Sequence, residues 1–364
     1  MNGDDRDIVS GHPARYFERL PGGRIRCDAC PRACVLGKGQ RGLCFVRASD
    51  GDRLVLTTYG RSSGFAVDPI EKKPLHHFLP GTSVLSFGTA GCNLTCKFCQ
   101  NWDISKSREM DTLADSASPQ AIAEAARDAG AKSVAFTYND PTVFIEYAMD
   151  VADACHDIGL RTVAVTAGYI GPEARRDLFS KMDAANIDLK AFTDDFYRKV
   201  AGGRLDDVKE TLRFVAHETK TWLEITTLLI PGHNDSDAEV GRLADWVARD
   251  LSPDVPVHFS GFHPDYKMVD VPPTPRETLV RARRIARAAG LRHVYTGNVH
   301  DREGDTTTCS ACNAPVIERD WYELCAYRLD AAGACAACGA RLPGVFAAEA
   351  GSFGRRRFRV RIAS

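Results

Sequence analysis

Gly91-Cys92-Asn93-Leu94-Thr95-Cys96-Lys97-Phe98-Cys99-Gln100-Asn101-Trp102 is the stretch whose reading decides the fold and the chemistry. Its three cysteines stand at C-x3-C-x2-C, with an aromatic residue just before the third. Iron–sulfur clusters are held by thiolates, and most take four. Three close thiolates can face three irons of a cubane cluster and leave the fourth iron open to a ligand that is not protein. A zinc knuckle lacking one ligand and a structural cysteine cluster are the competing readings of the triplet alone.

The chain around it has 364 residues, enough for a central domain of about 200–250 residues with smaller additions. Hydrophobic content of 44% and charged content of 26% are those of an ordinary globular protein. The 47 basic and 48 acidic residues leave a formal charge of −1. That balance argues against an anionic membrane or nucleic acid as partner, without excluding RNA for a local basic segment. The polar opening Met1-Asn2-Gly3-Asp4-Asp5-Arg6-Asp7 gives the expectation of no signal peptide. No apolar run approaches the roughly 20 residues of a membrane span. Thirteen cysteines then point to metal ligation in a reducing cytoplasm rather than to disulfides. Eleven of them fall into three groups, and Cys155 and Cys325 stand apart.

The first group, Cys27, Cys30, Cys34 and Cys44, has the spacing C-x2-C-x3-C-x9-C with Gly37, Gly39 and Gly42 between ligands. Four thiolates so spaced suit a closed zinc site or an accessory iron–sulfur cluster. The last group is Cys309-x2-Cys312 and Cys335-x2-Cys338, two knuckles 22 residues apart. It reads as a zinc ribbon whose gap slightly exceeds the usual one. Cys325, on the strand-like stretch between the knuckles, reads as a packed small residue rather than a ligand. The tail Arg355-Arg356-Arg357-Phe358-Arg359-Val360-Arg361 is basic and alternating, a late strand or an anion-attracting arm.

From residue 83 to 300 short apolar runs alternate with helical stretches. Strands are predicted at Ser83–Phe87, Ser133–Phe136, Thr162–Val165, Ala185–Leu189, Leu223–Leu229, Val257–Ser260 and His293–Tyr295. Apolar runs without strict alternation are expected where both sheet faces are covered. Helices are predicted at Pro119–Ala129, Val143–His156, Asp207–Val215, Asp237–Ala248 and Arg276–Ala289. Ser118 before Pro119 is a good cap, and Gly130 and Gly290 sit just past helix ends. Repeated β-α units imply a parallel sheet with right-handed crossovers, and six or seven suit an open (β/α) barrel with its chemistry at the strand carboxyl ends. The triplet directly follows the first of these strands.

The triplet's spacing resembles the signature of the radical S-adenosylmethionine (SAM) superfamily. The N-terminal pattern C-x2-C-P-R-x-C-x-x-G-x-G-x-x-G-x-C, ending in Phe45-Val46-Arg47, resembles proteins related to pyruvate formate-lyase activating enzymes. Composition alone reads Asp68-Pro69-Ile70-Glu71-Lys72-Lys73-Pro74-Leu75-His76-His77-Phe78-Leu79-Pro80-Gly81 as a solvated loop whose prolines forbid a regular helix. That stretch closely resembles the one leading into the triplet in the radical-SAM member of the AmmeMemoRadiSam family. The resemblance covers about residues 20 to 345. It implies a partial (β/α) barrel of about six units at 83–300, preceded by a four-cysteine metal-binding segment (1–60) and a connector (61–82). A zinc-ribbon-like module (301–345) and a basic tail (346–364) follow.

The same resemblance implies a [4Fe–4S] cluster on Cys92, Cys96 and Cys99, with SAM on its open iron and zinc at one or both of the other groups. One electron, from a ferredoxin- or flavodoxin-like donor, would cleave SAM to methionine and a 5′-deoxyadenosyl radical. That radical would take hydrogen from a substrate the motifs do not identify, a residue of a partner protein being one candidate. Association with Memo-like and AMMECR-like proteins is implied too. Phe98 corresponds to a residue beside the adenine. Asn139 and Asp140 lie in Thr137-Tyr138-Asn139-Asp140-Pro141-Thr142, similar to the family's Y-N-E-P-T with aspartate in the glutamate position; by itself the stretch reads as a capping turn. Thr166-Ala167-Gly168-Tyr169 resembles T-N-G-Y with Ala167 in place of an amide. Asp188 and Lys190, on one face by strand alternation, resemble the D-L-K that holds SAM in activating enzymes, and His263 matches a histidine that contacts SAM. A radical-SAM enzyme acting on RNA and a non-catalytic metal scaffold are the alternatives.

Overall fold

The apolar runs do form one parallel sheet, and it is the frame of the molecule. The computed structural model describes residues 11–106 and 115–362. The acidic opening Met1–Asp7 lies outside the described residues. Strand β1 (Phe65–Pro69) is antiparallel to β2 (Ser83–Phe87). From β2 onward β3 (Ser133–Phe136), β4 (Arg161–Thr166), β5 (Ala184–Asp188), β6 (Trp222–Leu229), β7 (Val257–Gly261) and β8 (Val294–Gly297) are each parallel to the strand before. A last strand, β9 (Phe358–Val360), pairs antiparallel with β1 and makes the sheet nine-stranded. It is open, with β8 and β9 at its two edges.

The crossovers are the helices α1 (Pro119–Asp128), α2 (Ile145–Asp157), α3 (Pro172–Phe179), α4 (Leu205–Glu218), α5 (Asp237–Trp246) and α6 (Arg276–Ala288). Ser118 caps α1 by accepting from the Ala121 N–H, and Ser236 caps α5 by accepting from Glu239 N–H. Helix α3 is not predicted from the sequence. It is short and charged, Pro-Glu-Ala-Arg-Arg-Asp-Leu-Phe, and only Ala174, Leu178 and Phe179 on it are buried. Strand β1 falls in residues 51–80, which read as a strand-rich connector, but its bounds are not predicted because its apolar residues run into a proline-rich stretch.

Register decides which residues share the concave face. Asp68 opposes Val84, Ala66 opposes Ser86, Asn186 opposes Glu224, and Thr226 stands beside both Asp188 and His258. An open sheet leaves that face to be filled, and the connector fills it. Ile70, Leu75 and Phe78 pack against Val84, Ala135, Val163 and Ala184 in a buried cluster. Proline-rich sequence does this well because Pro74 and Pro80 have no N–H to leave unpaired. The other backbone groups find partners: Glu224 accepts from the N–H groups of His76 (3.0 Å) and His77 (2.7 Å), and also from Trp222 Nε1 and His258 Nε2. Glu224 is fully buried; burial raises its pKa, yet His258 and these amides outweigh it and hold the carboxyl below its usual range.

Two flanking parts clamp the connector and the cysteine loop. The ribbon of Thr307–Thr308, Pro315–Asp320 and Glu323–Tyr327 sends the buried Arg319 inward, where it donates to the His76 carbonyl, the Asp305 carbonyl and Thr307 Oγ1. The His77 carbonyl accepts from Val345 N–H. At the other end, Arg47 donates to both oxygens of Glu146 on α2 at 2.8 and 2.9 Å, both side chains being buried. Cys325 departs from expectation: it is exposed, because alternation along Glu323–Tyr327 puts it with Glu323 on the solvent face.

Burial holds the imidazoles of His77 and His293 neutral, with pKa values pushed down to about 4 and about 2. The unfolded chain takes up those protons near the ordinary pKa of about 6.5, so below that pH it binds more protons than the folded state. Stability therefore falls on acidification, by about 1.4 kcal/mol per pH unit for each histidine within its window. Denaturant titrations at about pH 7 and about pH 5 are expected to show this loss, and His293→Leu to make the slope shallower. An unchanged slope in that variant would refute the assignment.

Candidate active site and metal centres

The loop after β2 is held from several sides before its cysteines are considered. Gly88 must be glycine, since a Cβ there would collide with the Thr137 carbonyl oxygen and lie 2.6 Å from Asn139 Oδ1. Gly91 has φ +78 and no room either: a Cβ would run into the Cys44 carbonyl. Asn139 accepts from the Thr89 N–H and donates from Nδ2 to Thr89 Oγ1 and to the Ala90 and Gly91 carbonyls. Beyond it, Asn93 Nδ2 donates to the Tyr169 carbonyl, and the N–H groups of Thr95 and Lys97 donate to the Ala201 and Val200 carbonyls. Arg32, from the N-terminal cysteine segment, donates to the carbonyls of Asn93 and Gly202. Lys106 Nζ reaches the Leu94 carbonyl at 2.7 Å.

So held, Cys92, Cys96 and Cys99 line one cavity of about 310 Å³. Its wall also takes Thr137 to Asp140 after β3, Val165 to Ala167 at the end of β4, Asp188 at the end of β5 and Lys190 just beyond it, Thr226 and Leu228 from β6, Ser260 from β7 and Asn298 after β8. The parallel strands thus point their carboxyl ends at a common space, as open sheets of this kind do. Burial pushes the Cys92 thiol up to about 12, with Asp140 adding to it. Burial also raises Cys96, against the pull of Lys190 and Lys106. Metal ligation is the chemistry that favours the thiolate form in such surroundings. Three thiols converging on one roomy cavity, with two lysines facing them, fit an anionic thiolate-bound cluster.

The predicted contacts do not all share this cavity in the same way. Phe98 is buried in the cavity wall, 5.8 Å from Lys190 Nζ. Lys190 pairs with Asp188 at 2.8 Å; burial opposes its charge, but Asp188 and Cys96 outweigh that and hold the ammonium above its ordinary pKa. Asp140 lines the cavity with its carboxylate already engaged, accepting from the Thr142 and Ala167 N–H groups and from Thr166 Oγ1. Asn139 is the pin of the cysteine loop. His263 is not brought into the cavity wall: it is exposed at the rim, its Nδ1 3.1 Å from Gln100 Nε2. Thr226, Ser260 and Asn298 carried no sequence signal beyond their place at strand ends.

The other cysteines form two further groups. Cys309, Cys312, Cys335 and Cys338 have their sulfurs all within 4.8 Å of one another. Cys309 to Cys338 is 3.7 Å and Cys312 to Cys335 is 3.8 Å. Four sulfurs at about 2.3 Å from one centre stand about 3.8 Å apart in a tetrahedron, so this set fits a single ion of zinc's size. Against the effect of burial, the backbone N–H groups of Cys312 and Ala311 draw Cys309 down to about 7. Cys27, Cys30, Cys34 and Cys44 line a small pocket together with Arg47 and Asn93. Burial pushes the Cys44 thiol up to about 11 and Cys30 higher still.

Residues 87–244 match the model of the radical SAM superfamily. The chain is 39% identical over 330 residues to an uncharacterized protein of Methanocaldococcus jannaschii, covering 90% of this chain and 98% of that one. It is 24% identical over 206 residues to a pyruvate formate-lyase-activating enzyme of Clostridium pasteurianum, covering 53% of this chain and 84% of the enzyme. Among solved structures, a radical SAM methyltransferase from Sphaerobacter thermophilus aligns with a TM-score of 0.48 at 19% identity, over 60% of this chain and 67% of that one.

The Asn139 pin yields a test. Asn139→Asp sets a carboxylate against the Ala90 and Gly91 carbonyls and is expected to cost about 3 kcal/mol. Iron bound after anaerobic reconstitution should fall with it, while metal at the four C-terminal cysteines stays. Undiminished iron would show that the loop does not depend on Asn139.

Proposed function

Taking as premise that this chain belongs to the radical SAM superfamily, with activating-enzyme homologues, we propose that it abstracts hydrogen from a residue of a partner protein. The convergence of Cys92, Cys96 and Cys99 with the ends of the parallel strands on one cavity carries the SAM chemistry, and the activating-enzyme homologue supports a protein substrate. Those three cysteines would hold a [4Fe–4S] cluster. When bound, the cluster and SAM would supply the reductive cleavage of a sulfonium and, through it, the capacity to abstract hydrogen.

The chain's own residues prepare the place. Lys106 and Lys190 offset the negative charge of three thiolates in a low-dielectric site. The Asp188–Lys190 pair offers an acceptor and a donor to the polar end of SAM, and Phe98 an apolar wall to its adenine. The pinned loops at 88–91, 137–142 and 166–169 give the cavity a fixed wall. His263, held at the rim by Gln100, would reach SAM only by turning inward.

Zinc is the proposed occupant of the C-terminal four cysteines, where its role is to hold the ribbon that presents Arg319 to the connector. The N-terminal four would hold a second structural metal, zinc or an iron–sulfur cluster. A chain with thirteen unpaired thiols belongs in a reducing compartment such as the cytoplasm. Among the described residues no helix is long and apolar enough to cross a membrane. The finer assignment is to the radical-SAM member of the AmmeMemoRadiSam family, served by a ferredoxin- or flavodoxin-like donor and working with Memo-like and AMMECR-like proteins.

Anaerobic reconstitution with iron, sulfide, SAM and dithionite is expected to release 5′-deoxyadenosine. Cys96→Ala should abolish that product, whereas Cys335→Ala should lower zinc content and stability. No product from the fully loaded wild type would end the enzyme reading, and product from the Cys96 variant would end the cluster assignment. Iron per chain in Cys30→Ala identifies the N-terminal metal: unchanged iron with lost zinc marks a zinc site.

A further inference from the structure

The Arg-rich tail is the feature that the chemistry above leaves unused. Strand β9 places Arg359 opposite Ala66, and Ala66 in turn stands opposite Ser86 on the concave face of the sheet. Alternation therefore sends Arg357, Arg359 and Arg361 to that same face. All three are exposed and line a groove of about 730 Å³. The groove meets the reaction cavity at Gln100, Asn101 and Tyr138, which line both. Arg357 lies 3.4 Å from Asp68, a carboxylate already paired with Lys72 and Lys73. Arg359 and Arg361 have no carboxylate partner among the described residues, although neighbouring Arg355 reaches both Asp320 and Glu323. Asp103 and Asp115 are the opposing charges on the groove wall.

A second property belongs to the same strand. Among the described residues it is the terminal strand of the sheet, paired on one side only, so its other side offers backbone N–H and C=O groups to an extended chain. It is short and flanked by charge, which blunts self-association without closing the edge to a complementary partner. Backbone pairing favours a polypeptide, since nucleic acid has no strand to add.

We propose that this edge and its arginines dock an extended acidic segment of the partner protein and lead it along the groove to the reaction cavity. Backbone pairing with Phe358–Val360 supplies affinity, and carboxylates on alternate residues meet Arg359 and Arg361. The proposal rests on the reading that a residue of a partner protein is the substrate, and it names the chemistry by which that partner is recognised.

The test is fluorescence anisotropy of the full-length, metal-loaded chain with a short labelled peptide alternating glutamate and valine. Binding is expected, weakening by about tenfold or more in the R359E/R361E variant and with added salt. The glutamine counterpart should not bind, and a glutamate peptide with alternate amides N-methylated should bind about tenfold more weakly or worse. Unchanged affinity in the variant, or equal affinity for the glutamine peptide, overturns the arginine site. Equal affinity for the N-methylated peptide overturns strand addition, and equal or tighter binding of oligouridylate of matching charge overturns the choice of a polypeptide. Iron content equal to wild type shows that the variant has folded. The release of 5′-deoxyadenosine by the wild type without peptide reports separately on the SAM reading, so either idea can fail while the other stands.

Discussion

The architecture hangs on the Glu224 carboxylate at the floor of an open sheet. A parallel sheet that does not close on itself has a concave face that strand side chains alone cannot fill. Here a proline-rich connector is drawn into that space, and the backbone amides of His76 and His77 end on Glu224. Removing such an acceptor would strand buried donors, each worth about 1–3 kcal/mol of desolvation. The same connector carries the carbonyls that Arg319 and Val345 grip from the C-terminal ribbon. One buried anion thus joins three segments distant in sequence.

Above that floor the cysteine loop is positioned by polar groups of its neighbours. Asn139 fixes its start, Arg32 its middle, and the Ala201 and Val200 carbonyls its second half. The N-terminal segment is in turn tied to the frame by the buried Arg47–Glu146 pair, whose guanidinium also faces Cys27 and Cys44. A metal bound by the N-terminal cysteines would therefore stiffen the loop that carries the other three. The tail strand closes the arrangement at the opposite edge, beside the mouth of the cavity.

Much of the sheet was legible because most of its strands are apolar runs and most of its crossover helices periodic ones. The predicted strands Ser83–Phe87 and Ser133–Phe136 match to the residue, and the other five differ by one or two at their ends. Helix α3 was not legible, since it is short and strongly polar on average, and it forms because Ala174, Leu178 and Phe179 find a core. The bounds of strand β1 were hidden by the prolines that follow it. Among site residues, Asp188 and Lys190 could be placed together by alternation, whereas the engagement of Asp140 and the outward position of His263 could not. Those depend on which donors and loops the fold brings alongside.

The sequence by itself determined the chemistry on offer: thiolates at close spacing bind metal whatever surrounds them, and the order of apolar runs dictates a parallel sheet. Only the tertiary structure decided how close the sulfurs of each group stand and what faces them. Sulfur–sulfur distance separates the tetrahedral C-terminal set from the triplet that opens on a cavity, and distance is a property of packing. The same holds for the tail, where alternating arginines mean little until pairing with Phe65–Pro69 turns them toward the mouth of the site. Local spacing governs what a residue can bind; long-range register governs what it meets.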